Sequence, residues 1–168
     1  MANEIKPIGV DASGFEILTE AVHYILNLYP GLSENDYISF EELEKDSGIA
    51  FSADSGALVM AEKRSITDHV KQTCQFPFFV VFRTSARQEN QKINVQEFLE
   101  KLGKWICQEP VEINYVTHRL SGFPELSDGR KITRITRQNS YGTEPDADGV
   151  QDWLLPVTVQ YTHEYDIW

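Results

Sequence analysis

Residues 155–161 alternate without a break, with Leu155, Val157, Val159 and Tyr161 on one side and Pro156, Thr158 and Gln160 on the other. A period of two sets one row against a core and leaves the other wet, so the spacing predicts a half-covered strand near the C-terminus. Residues 77–82 (PFFVVF) are wholly apolar, which predicts a central strand buried on both faces. Residues 131–138 form a third strand carrying Arg134 and Arg137, and Val111, Ile113, Tyr115 and Thr117 alternate as a fourth. Two short β-prone runs, 49–51 and 58–60, flank Asp54, Ser55 and Gly56 and read as a hairpin.

Two stretches follow a helical period instead. Ser13 and Glu16 make a capping box for a helix whose apolar face is Phe15, Leu18, Val22, Ile25, Leu26 and Tyr29, stopped by Pro30 and Gly31. Asn94 and Glu97 begin a second, with Val95, Phe98, Leu99, Leu102 and Ile106 on its apolar face and Pro110 beyond its end. Residues 37–43 have mixed character and remain unassigned. Residues 62–73 are polar and either continue the hairpin outward or form an arm, and residues 141–152 (YGTEPDADGVQD) make an acidic loop. The expected architecture is α+β, a mainly antiparallel sheet with the two amphipathic helices packed on one face. Phe79, Val81, Phe98, Leu102 and Val159 are expected to be buried together. A length of 168 residues fits a single domain, 1–168, with a hairpin or arm insertion at about 45–73.

Charge narrows the functional classes. Fifteen Lys and Arg against 26 Asp and Glu give a net charge of −11, a surface that repels phosphate backbones, so nucleic-acid binding is not expected. No run reaches the roughly 18 apolar residues a membrane span needs, and Asp11, Glu16 and Glu20 near the start argue against a secretory leader. Two cysteines, Cys74 and Cys107, make no disulfide framework, which suits a reduced, cytosolic origin.

The motifs of phosphate-binding loops, dinucleotide sites and serine-hydrolase elbows are absent. Glu144, Asp146, Asp148 and Gly149 look like the start of a calcium loop, but position twelve is Leu155 where a bidentate Glu belongs, so a solvated acidic loop is the better reading. His23, His69, His118 and His163 stand singly, and Glu41 and Glu42 lie in a charged run that reads as a solvated face. No catalytic residue, cofactor or metal ligand is therefore expected. The arginines carry a different message, because Arg is enriched where surfaces meet. Arg83, Arg87, Arg134 and Arg137, with Tyr141, Asp146 and Asp148, are the candidate interface residues; Trp105, Trp153 and the terminal Trp168 belong either to the core or to contacts.

A PFFVVFR strand, a helix of the type EFLEKLGKWI, a late RITRQNSYG strand, an acidic Asp-Gly loop and a final V-x-V-x-Y strand together resemble the tail terminator, or minor capsid, proteins of long-tailed bacteriophages and prophages. The resemblance runs from about residue 77 to 165, with a looser match of the N-terminal helix. It implies a small structural subunit of the virion, assembled in the host cytoplasm into a ring, commonly a hexamer, at the top of the tail tube. The implied partners are other copies of the chain, the tail tube protein and the head–tail connector, with no membrane and no catalytic residues. Residues 37–73 depart from the family pattern as an insertion. An acidic ring wall would let a genome slide past without sticking. A monomeric protein-binding adaptor and a small enzyme are the alternative readings.

Overall fold

The computed structural model describes residues 6–85 and 89–167, with the backbone alone for 89–92. In chain order the elements are β1 (Gly9–Val10), α1 (Ala12–Asn27), β2 (Ile38–Phe40), β3 (Gly48–Ala53), β4 (Leu58–Arg64), β5 (His69–Thr84), α2 (Glu89–Ile106), β6 (Val111–Ile113), β7 (Val116–His118), β8 (Arg130–Arg137), β9 (Tyr141–Gly142) and β10 (Gln151–Asp166). The fold is α+β. Its spine is the antiparallel pair β5 and β10, each 16 residues long and in register from end to end, with Gln151 opposite Thr84 and Asp166 opposite His69. At about 3.3 Å per residue such a pair runs to roughly 50 Å. β8 pairs with the far side of β10, while β3 and β4 both pair with the far side of β5.

The alternation in β10 is as expected: Leu155, Val157, Val159 and Tyr161 are buried beneath the helices. On β5 the row Cys74, Phe76, Phe78 and Val80 joins them. α1 contributes Leu18, Val22, Ile25 and Leu26, and α2 contributes Val95, Leu99, Leu102, Trp105 and Ile106, to one continuous core. The helices meet where the Tyr29 ring packs against Phe98 and Trp105. Both therefore lie on the same face of the sheet.

Several local expectations fail for identifiable reasons. Pro77, Phe79 and Val81 are only half-buried, because neither helix lies over the second face of β5; Phe79 and Val81 thus do not share a core with Leu102 and Val159. The runs around residues 49–51 and 58–60 do not form a hairpin with each other. They lie one after the other along the same edge of β5, Ala53 opposite Phe78 and Leu58 opposite Gln75, because β5 is long enough to hold both. Ser55 (φ 73°) and Gly56 (φ 74°) supply the left-handed kink between them. The hairpin of this region is instead β4–β5, and residues 37–43 supply β2, parallel to β3.

The helix starts also move. Asp11, not Ser13, caps α1 by accepting from the Gly14 N–H, and Phe15 is partly exposed on that helix, its ring edge-on to Phe40 and Phe76. α2 begins at Glu89, ahead of the expected cap at Asn94. Residues 111–117 fold back on themselves as the β6–β7 hairpin, since Asn114 (φ 52°) and Tyr115 (φ 67°) are both left-handed, as a tight hairpin turn demands.

Candidate interface

Strand ends and loops position the arginines singled out above. Arg83, near the end of β5, faces Asp152 across the ladder and forms a forked pair with it, Nε to Oδ1 at 2.7 Å and Nη2 to Oδ2 at 3.0 Å, while Nη1 donates to the Glu44 carbonyl at 3.2 Å. The Asp152 carboxylate pushes the Arg83 guanidinium up from its already high value. Three of its N–H donors are thus engaged within the chain. Arg137 at the end of β8 donates to Glu100 of α2 at 2.9 Å, and the same carboxylate accepts from the backbone and hydroxyl of Ser140. Burial alone would raise the Glu100 carboxyl, but Ser140 and Arg137 outweigh it and hold it below its ordinary value. Arg134 is exposed on β8 and has no ion-pair partner among the described residues. Arg87 and Trp168 lie outside the described residues.

Tyr141, half-exposed on β9, and Asp146 belong to one closed loop. Asp146 Oδ1 accepts from the backbones of Asp148 and Val150, both at 2.9 Å, and Thr143 N–H reaches the Asp152 carbonyl at 2.8 Å. The acidic loop is thus a hydrogen-bonded hairpin in which the Asp146 carboxylate turns into its own backbone. Among the described residues no group of three or more His, Cys, Asp or Glu side chains is placed to hold a metal, and no helix is long and apolar enough to cross a membrane.

A site that sequence reading missed lies in the core. Asp11 and Arg130 are each only 6% exposed. Arg130 grips the Asp11 carboxylate with Nη2 to Oδ1 at 2.6 Å and Nε to Oδ2 at 3.0 Å, and the Tyr161 hydroxyl donates to Oδ2 at 2.7 Å. One side chain thereby caps α1, pairs with β8 and holds β10. Burial tends to raise the Asp11 carboxyl, yet Arg130 and Tyr161 overcome it and leave it below its ordinary value. Burial, then the Asp11 bond, drives the Tyr161 phenol far upward, so it stays a donor. A Cβ on residue 14 would stand 2.1 Å from Asp11 Oδ2, which is why glycine sits there. The neighbouring Cys74 thiol is pushed up to about 11 by burial, and so does not offer a thiolate near neutrality. With the acceptors of its buried carboxylate filled, this cluster is a staple. The only sequence hint was Tyr161 on the apolar row of β10.

Two surfaces have no covering element among the described residues. The second face of the sheet presents Pro77, Phe79 and Val81 on β5 beside Leu154 and Pro156 on β10, all half-buried. The second is an arm made by residues 61–64 of β4, the start of β5 and the end of β10, with Ile66 at its tip wholly exposed (103%). At the root of that tip both ring nitrogens of His69 face carboxylate acceptors, Nδ1 towards Asp166 at 2.8 Å and Nε2 towards Glu164 at 3.3 Å. Those two carboxylates raise the His69 imidazole above its ordinary value.

No protein-family model matches the chain, and no curated protein sequence matches it.

Proposed function

We propose that the chain is a structural assembly subunit, a tail terminator or head–tail joining protein that acts as an oligomeric ring at the top of a phage tail tube. Its partners on this reading are other copies of itself, the tail tube protein and the head–tail connector, and it acts without catalysis. The observation that carries the reading is the arm. Strand pairing on two sides holds it out from the core, and it ends in an exposed Ile66 that packs against nothing within the subunit. A strand-paired protrusion with an apolar residue at its tip offers a neighbouring subunit an anchor. The half-buried row Pro77, Phe79, Val81, Leu154 and Pro156 offers a second apolar surface. A head-to-tail contact between two different surfaces closes into a ring when the rotation permits.

Substitution separates assembly from folding. Ile66→Asp should leave thermal melting unchanged and shift the sedimentation profile of the purified chain toward monomer. A chain that is monomeric at every attainable concentration, alone and with tail tube protein, would overturn the reading and leave the adaptor.

A further inference from the structure

β8 is the last strand of its sheet order. Its inner edge pairs with β10, and among the described residues nothing pairs with its outer edge. Beyond the strand ladders, the one backbone bond made by β8 to the rest of the described chain is Arg130 N–H to the Ser127 carbonyl. The outward N–H and C=O groups of residues 131–136 are therefore open. Alongside them run two adjoining clefts of about 490 and 540 Å³ that share Gln108, Phe123 and Thr133. The far wall is the end of α2 with Cys107, Gln108 and Glu109, and residues 122–126; Arg119 Nε, donating to the Gln108 carbonyl at 2.8 Å, pins that wall. The result is a trough along an unpaired strand edge.

Its two faces differ in chemistry. Opposite Thr162 and Gln160 on the side away from the helices stand Lys131 and Arg134, both exposed and without an ion-pair partner among the described residues. On the helix side are Ile132, Ile135 and the half-buried Phe123. The strand carries no acid, and of its four cations Arg130 and Arg137 are held by Asp11 and Glu100, which leaves Lys131 and Arg134 for a ligand in a chain of net charge −11. An added strand is stabilised by opposite charges directly across from it and destabilised by like ones.

We propose that the outer edge of β8 is a docking site for an extended segment of another protein, added as a further strand, with acidic side chains facing Lys131 and Arg134 and apolar ones entering the Phe123 side. Main-chain pairing supplies the affinity, and Lys131 and Arg134, brought to one face by the β-bulge at Thr133, supply the selectivity. A second copy of the chain is a poor occupant. Of the other open edges of this sheet, residues 61–64 of β4 carry Lys63 and Arg64 against one acid, Glu62, and would set cations against cations, and β2 offers only the three uncharged residues Ile38–Phe40. The site does not depend on the ring.

The test uses the full chain and blocked octapeptides of alternating Glu and Val or Lys and Val, read by amide shifts and fluorescence anisotropy. The Glu–Val peptide should perturb residues 130–137, 107–109 and 122–126, and bind about tenfold or more tightly than the Lys–Val peptide, as two cross-strand charge pairs imply. N-methylation at alternate peptide positions should abolish binding. The Lys131→Glu, Arg134→Glu double variant should invert the preference, an outcome an unfolded variant could not give. Equal binding of the two peptides, indifference to N-methylation, or shifts elsewhere would overturn the proposal. Dissociation of an existing oligomer by the peptide would also overturn it, by showing that a second copy occupies the edge.

Discussion

Replacing Arg130 by Met should be among the most damaging single changes this chain can suffer. Arg130→Met keeps bulk beside Ile132 but strips the two charge-assisted bonds from Asp11, which is 6% exposed and cannot recover them from water. Breaking a buried ion pair from one side costs about 3–5 kcal/mol, chiefly because the remaining charge is left uncompensated. For a domain of this size each kcal/mol moves the melting temperature by about 2–4 °C, so a fall of about 10 °C is expected. Removing the whole cluster should hurt less. In the triple variant Asp11→Ser, Arg130→Met, Tyr161→Phe, Ser keeps an N-cap for α1, and neither the Arg130 cation nor the Tyr161 hydroxyl is left stranded. It should lie within about 2 kcal/mol of the parent in urea unfolding, since apolar replacement of a buried pair is often near neutral. Because Asp11 is held below its ordinary value of 3.8, its contribution is present above that pH and is lost as pH falls through the lowered folded-state value. Arg130→Met removes the main cause of that lowering and should shrink the acid limb. A single variant that costs under about 1 kcal/mol, or a triple variant as unstable as the single, would refute the staple.

Phe98→Ala, which empties the space between Tyr29 and Phe82, should cost about 3 kcal/mol in the same unfolding assay, whereas Phe79→Ala on the uncovered face should cost under about 1.5 kcal/mol and weaken self-association instead. His69 should titrate above about 6.5 by NMR. The grip of Asp166 and Glu164 on it should thus be complete below that pH and released as pH rises through the raised value, seen as faster exchange at the Ile167 amide, which donates to the Asp68 carbonyl at 3.1 Å; a His69 titrating at or below the ordinary value would contradict the clasp. Deleting residues 143–150 and closing the gap with a short turn should barely change melting, because the loop bonds mainly to itself, while weakening ring formation or head joining; a deletion that unfolds the chain would show that the loop belongs to the core.

The alternation of β10 and the apolar stripes of both helices were legible because each reports a single face against a single core, and Leu155, Val159, Leu99 and Leu102 lie where their spacing puts them. The collinear β3 and β4 were not, since a turn signal such as Asp54-Ser55-Gly56 says that the chain bends but not which strand it rejoins. Nor was the uncovered face of β5: Phe79 and Val81 are as apolar as Phe78 and Val80, and only the placement of the helices separates them. Asp11 and Ser13 are both good caps, and the choice between them falls to Arg130 and Tyr161, which lie 119 and 150 residues away. Among the interface candidates, sequence could show that arginines sit at strand ends but not that Asp152 and Glu100 already hold Arg83 and Arg137, leaving Arg134 unpaired among the described residues.

The central claim is that this subunit builds an assembly through its arm, and the mass of the purified chain in solution tests it most directly. Sedimentation velocity over a wide concentration range should show one closed oligomer of defined size, formed alone or on adding tail tube protein, that Ile66→Asp converts to a folded monomer. A folded monomer under every one of those conditions, with Ile66→Asp indistinguishable from the parent, would contradict it.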